Sequence, residues 1–156
     1  LDTVDGKLAR CTITSSRIGN ALDHGVDLIH PPFWWWAWGK GLEAWGRPLD
    51  ADLFLAMMIA IVAGYVVQRL IEGIFIARLG LEIHVWERLD SRFRLITARR
   101  NPNMVILFVA LLVGYPDVGL VAVAVWTVAS CLFHAVRLGQ AWLRHAREGR
   151  LESWLQ

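Results

Sequence analysis

Cysteine is almost missing from this chain. Cys11 and Cys131 are its two representatives in 156 residues, which excludes a disulfide framework and leaves no cysteine-based metal-ligand spacing, so both are expected as free thiols. There is no internal repeat and no low-complexity linker. No cleavable signal peptide is visible, although a start upstream of Leu1 would hide one. Charge is nearly absent from two apolar runs in the second half, Asn101 to Tyr115 and Val118 to about Leu138. What is abundant is apolar surface. Hydrophobic residues at 56%, nine Trp and a mean hydropathy of +0.42 lie outside ordinary soluble composition, and the expected class is an all-α, polytopic membrane protein.

The stretch Leu1 to Asp27, LDTVDGKLARCTITSSRIGNALDHGVD, organises the rest. Asp2 and Asp5 stand three residues apart and Asp23 and Asp27 four, spacings that put each pair on one face of its own helix. Between the pairs lies a basic, glycine-bearing corner with Lys7, Arg10 and Arg17. Carboxylates grouped this way suit Mg²⁺ and Mn²⁺, hard cations that prefer oxygen ligands. The alternative is a solvated acidic helix face. The neighbours favour the metal, because Asp23 and Asp27 run on into Leu28, Ile29 and an aromatic run of membrane character. A free carboxylate at such a depth costs roughly 2.5 to 3.5 kcal/mol.

The same stretch resembles the signature of the CDP-alcohol phosphatidyltransferases: D, two residues, DG, two residues, AR, eight residues, G, three residues, D, three residues, D. Asp2, Asp5, Gly6, Ala9, Arg10, Gly19, Asp23 and Asp27 meet it in identity and spacing without departure. With residue frequencies of roughly 5 to 8% each, a chance match at a given start is on the order of one in ten billion. The resemblance implies a membrane enzyme of phospholipid synthesis, embedded among membrane lipids and homodimeric. It would move a phosphoalcohol group from a CDP-alcohol donor to an acceptor alcohol and release CMP. It also implies that Asp2, Asp5, Asp23 and Asp27 hold two Mg²⁺ or Mn²⁺ ions, with Asp27 also the base that takes the acceptor's hydroxyl proton. Gly6 would let the cytidine diphosphate approach the helix, Arg10 would pair with its phosphates, Ser16 would contact the nucleotide and Gly19 would open space on the face of Asp23.

Asp23, His24 and Gly25 resemble the DHG of the choline and ethanolamine phosphotransferases, with Val26 where a cysteine is usual. Three residues do not decide between CDP-diacylglycerol and a CDP-linked small alcohol. The family has six crossings and this chain is read as four plus the end of one. The helix carrying Asp2 and Asp5 is therefore expected to begin upstream of Leu1. Residues 1–150 are read as the partial membrane domain and 139–156 as a basic amphipathic surface tail.

Beyond the signature, Ser16 to Trp38 is long enough to cross a bilayer at roughly 33 Å. Its end, HPPFWWWAW, forms with Trp45 an aromatic belt. Pro31 and Pro32 deprive the carbonyls of Asp27 and Leu28 of helical partners, which predicts either a kink just past Asp27 or the end of the helix. Leu53 to about Ala77 is the next crossing. Within it Arg69 and Glu72 are either a mutually neutralising pair, or Arg69 lines a polar cavity and holds a phosphate-bearing acceptor. From Leu81 to Arg100 the stripe Leu81, Val85, Leu89, Phe93 and Ile96 predicts an interfacial helix. His84, Asp90, Arg99 and Arg100 either lie on that surface or face the site, and His84 and Arg100 join Arg69 as candidate acceptor contacts. Asn101 to Tyr115 and Val118 to about Leu138 complete the crossings around a tight turn at Pro116 and Asp117. Gly114 and Gly119 there allow close packing. His134 is expected as a satisfied packing histidine.

If the basic corner faces the cytoplasm, only Lys40 and Arg47 fall outside, leaving 14 of the 16 Lys and Arg on or toward the cytoplasmic side. Anionic headgroups and a diphosphate substrate account for these arginines, so no nucleic-acid partner is needed. The expectation is a multi-pass protein with a cytoplasmic active site. Two other classes make different demands. An ion carrier using intramembrane carboxylates needs polar residues through to the opposite face, and a catalytically silent scaffold of the same fold would be expected to have lost a signature residue.

Overall fold

The structure, a computed structural model, describes the backbone of residues 17–155 and the side chains of residues 30–155. Asp2, Asp5, Gly6, Arg10 and Ser16 lie outside the described residues, and Gly19, Asp23 and Asp27 are described by backbone alone. The described chain is all-helical: α1 (Arg17–Ala44), α2 (Ala51–Leu79), a 3₁₀ turn (Ile83–Val85), α3 (Arg88–Phe93), α4 (Arg100–Leu112) and α5 (Pro116–Glu148). Among the described residues α2 and α5 are long and apolar enough to cross a membrane. Helix α4 has 13 residues, about 20 Å, and falls short of a ~30 Å hydrocarbon layer.

Local chemistry sets these boundaries. Helix α1 passes through Pro31 and Pro32, so the prolines do not end it. Gly46, at φ 76°, turns the chain out of α1. The side chain of Asp50 then accepts from the Asp52 N–H at 3.1 Å, capping α2. Gly80, at φ 73°, closes α2 with its N–H on the Ile76 carbonyl. The tight turn expected at Pro116 sits just before it, at Gly114 with φ 78°. Pro116 instead opens α5, where its missing N–H costs nothing.

Two contacts fix the helix directions. Arg47 reaches Asp117 at 3.4 Å, joining the starts of α2 and α5. Ile71, Phe75 and Leu79 share an apolar cluster with Ala141 and Leu151, joining their far ends. Helices α2 and α5 are therefore parallel, and α1 and α4 run back against them. Lys40 and Arg47 stand at one end of the bundle, while the arginines of 88–100 and 137–150 stand at the other. The start of α1, with Asp23 and Asp27, points to that arginine-rich end.

Helix α5 packs chiefly along α2 and secondarily against α4. The buried positions of α2 (Ile61, Gly64, Gln68, Ile71, Phe75, Leu79) and of α5 (Leu120, Val123, Thr127, Ser130, His134, Arg137, Ala141) recur every three or four residues, as a seam between two helices requires. Glycine makes the approach close. A Cβ on Gly64 would stand 2.7 Å from Thr127 Cγ2, and one on Gly119 would stand 2.6 Å from the Ala110 Cβ. The expected close packing at Gly119 is thus present, against α4. Apolar clusters occupy the two ends of the seam. Gln68, Thr127, Ser130, His134 and Arg137 form a buried polar layer between them.

The predicted interfacial helix over 81–100 is not formed. Glu82 and Glu87 are extended, and the chain makes a 3₁₀ turn and then the six-residue α3. A capping box between Glu87 and Asp90 starts α3. Of the predicted stripe, Leu89 and Ile96 are exposed, each at 53%. The segment read as the tail begins inside a helix. Helix α5 continues to Glu148, and the segment after it folds back, with Leu151 buried and the Trp154 N–H on the Trp86 carbonyl at 3.3 Å.

Candidate functional site

A cavity of about 790 Å³ opens beside the polar layer. Helix α1 contributes Pro31 and Trp35, and α2 contributes Ile61, Tyr65 and Arg69. The link into α4 supplies Arg94, Leu95, Ala98 and Arg99, α4 supplies Arg100, Asn101, Pro102 and Asn103, and Thr127 closes the floor from α5. The link is pinned to α5 by two bonds. Ser130 Oγ accepts from the Ala98 N–H at 3.0 Å, and Trp126 Nε1 donates to the Ile96 carbonyl at 2.7 Å. Ser130 and Trp126 lie one turn apart on α5, so the helix fixes where the arginines of the link stand.

Four arginines wall the cavity: Arg69, Arg94, Arg99 and Arg100. Arg69 is both ion-paired and part of the cavity wall. Its Nη1 pairs with Glu72 Oε2 at 2.9 Å, and the residue also lines the cavity. The other Glu72 oxygen pairs with Arg99 Nη2. His84 completes the cluster, with Nε2 3.2 Å from Glu72 Oε1 and 2.8 Å from Arg99 Nη2. His84 is therefore behind the wall, Arg100 is in it, and Arg99 belongs to the cavity rather than the lipid surface. Arg69 Nε, Arg99 Nε and Asn103 Oδ1 are buried with no hydrogen-bond partner among the described residues. Buried polar atoms left open in this way call for a partner. A wall of guanidiniums with open donors suits an anionic ligand.

Asp90 does not face the cavity. It is 2% exposed, and its two oxygens take bonds from Arg137 Nε at 2.6 Å and Nη2 at 2.7 Å. Arg137 also donates to Glu87 at 2.6 Å and Gln140 at 2.7 Å, and its guanidinium lies 4.2 Å over the Trp86 ring. This structural lock joins α5 to the segment that shapes the cavity. His134 is buried against the rings of His84, Phe93 and Phe133, so it packs as expected, with no hydrogen-bond partner for its Nδ1 among the described residues. Arg94, Asn103 and the Arg137 lock were not singled out in the sequence. Asn103, a polar residue at the head of an apolar run, carried the one available signal.

The backbone of the second half of the signature lies within α1. Helix α1 is unbroken from Arg17, so Gly19, Asp23 and Asp27 occupy successive turns, and Pro31 of the cavity wall is one turn beyond Asp27. Among the described residues no group of three or more His, Cys, Asp or Glu is placed to hold a metal ion. The metal expectation therefore rests on the signature carboxylates.

Fold and site together define a helical bundle of membrane character with an arginine-walled cavity at its cationic end. No family model, no curated protein and no solved structure matches the chain.

Proposed function

We propose that this chain carries the core of a metal-dependent CDP-alcohol phosphotransferase of phospholipid synthesis, in a multi-pass membrane protein whose active site faces the cytoplasm. The observation that carries the proposal is the signature from Asp2 to Asp27, met at every position. Two further features support it. The unbroken α1 keeps Asp23 and Asp27 in helical register, and the cationic cavity begins one turn further along. Helices α1, α2 and α5 serve as crossings, α4 as a short one that requires a locally thinned bilayer, and Asp2 and Asp5 join Asp23 and Asp27 from the preceding part of the signature. The clustering of arginine at the end toward which the signature points agrees with a cytoplasmic site.

In this account Arg10, Gly6, Ser16 and Gly19 seat the cytidine diphosphate. Asp2, Asp5, Asp23 and Asp27 would hold Mg²⁺ or Mn²⁺, which when bound would supply the positive charge that neutralises the diphosphate. Asp27 takes the proton of the acceptor hydroxyl as its oxygen bonds to the donor's alcohol-side phosphorus. The bond from that phosphorus to the bridging oxygen breaks, and CMP leaves with that oxygen. Arg69, Arg99 and Arg100 hold an anionic group of the acceptor in the cavity, with His84 braced behind them. The ion-carrier alternative fits less well, because the apolar cluster of Trp35, Leu42, Ile61, Leu107, Leu120, Val123 and Ala124 fills the seam beyond the polar layer.

The test uses the full-length protein in vesicles with Mg²⁺ or Mn²⁺, a panel of CDP-alcohols and acceptor alcohols, and CMP release as the readout. Metal-dependent release with at least one donor is expected. Silence with every donor would favour the scaffold.

A further inference from the structure

We propose that Glu72 is the positioning residue of the cavity, its carboxylate bridging Arg69 and Arg99 from behind so that both guanidiniums face an anionic group of the acceptor. This rests on the acceptor role given to the cavity above. Glu72 spends one oxygen on each arginine. Both arginines line the cavity and Glu72 does not. Among the described residues Glu72 carries the only carboxylate in contact with either guanidinium, and His84 Nε2 meets the same oxygen as Arg99, at 3.2 Å.

Each guanidinium carries five N–H donors. Glu72 engages one terminal nitrogen of each, and both Nε atoms stay without a partner among the described residues. The bridge therefore fixes the pair while leaving donors for a second anion. It also holds two like charges side by side, beside Arg94 and Arg100. Without it the guanidiniums repel one another and are free to turn toward water or headgroups.

Two physical effects of removing Glu72 have opposite signs, which makes the role testable. Deleting a negative charge beside a cationic cavity strengthens anion binding by Coulomb attraction alone. Losing the bridge weakens it, because the two arginines must be ordered again on binding. The positioning role requires the second effect to win.

The experiment measures binding of inorganic phosphate to the full-length protein in lipid nanodiscs by calorimetry, for wild type, Glu72→Gln and Glu72→Asp. Glu72→Gln is expected to weaken phosphate binding at least tenfold. Glu72→Asp, which keeps the charge on a shorter arm, is expected to fall between the two. Unchanged or tighter binding by Glu72→Gln would overturn the proposal. Should that variant fail to fold, Glu72→Asp decides, and binding equal to wild type would overturn it. In the CMP-release assay Glu72→Gln is expected to raise the acceptor KM at least tenfold with the donor KM within twofold. If wild type releases no CMP with any donor, the enzyme reading fails, while the phosphate comparison still decides the role of Glu72.

Discussion

The lock between Arg137 and Asp90 offers a perturbation whose size follows from its burial. Asp90 is 2% and Arg137 8% exposed, and they meet through two bonds of 2.6 and 2.7 Å. Replacing Arg137 with Met keeps the side-chain volume and packing over Trp86 but leaves Asp90 with the Glu87 N–H at 3.2 Å as its remaining bond. Removing one partner of a buried pair costs about 3 to 5 kcal/mol, since the other charge is left uncompensated. At roughly 2 °C or more per kcal/mol for a chain of this size, Tm should fall by at least about 6 °C. The double variant Arg137→Met with Asp90→Leu removes both charges, so it should recover much of that loss. Thermal unfolding of the purified full-length protein, followed by tryptophan fluorescence, measures all three. A single variant within about 2 °C of wild type, or a double variant no more stable than the single, would refute the reasoning.

Three further outcomes are expected. Gly64→Ala drives a methyl into Thr127 Cγ2 and should cost about 1 to 3 kcal/mol, while adding Thr127→Ser, which removes that methyl, should restore most of the stability in the same unfolding assay. Gly119→Leu overfills the contact with Ala110 and should lower Tm by a similar amount, which differential scanning fluorimetry can check. Arg69→Ala should raise the acceptor KM about tenfold or more, the loss expected on removing a charge-assisted contact; an unchanged KM in steady-state kinetics would leave Arg69 as a partner of Glu72 alone.

Long apolar helices were legible in the sequence because little opposes them. The stretch read as Leu53 to Ala77 forms α2 at Ala51–Leu79, where Asp50 caps one end and Gly80 stops the other. The close contact at Gly119 was legible for a similar reason, a small residue beside a turn. The segment from Leu81 to Arg100 misled because its apolar residues happen to recur at helical spacing. What decides its shape lies elsewhere in the chain: Asp90 is held by Arg137, and Ala98 by Ser130. Pattern within one segment carries no information on partners 32 and 47 residues away. Arg99 was equally ambiguous, since its partner Glu72 lies 27 residues away and its place in the cavity wall is set by the tertiary fold. The composition of the tail gave no sign that Leu151 is buried or that the Trp154 N–H finds the Trp86 carbonyl, 68 residues back in the chain.

Most direct of all is CMP release by Asp27→Asn beside wild type, with nucleotide binding measured on the same preparations of the full-length protein. The account predicts that the variant stops turning over while still binding the CDP-alcohol, because an amide cannot take the acceptor's proton. Turnover at the wild-type rate would contradict it.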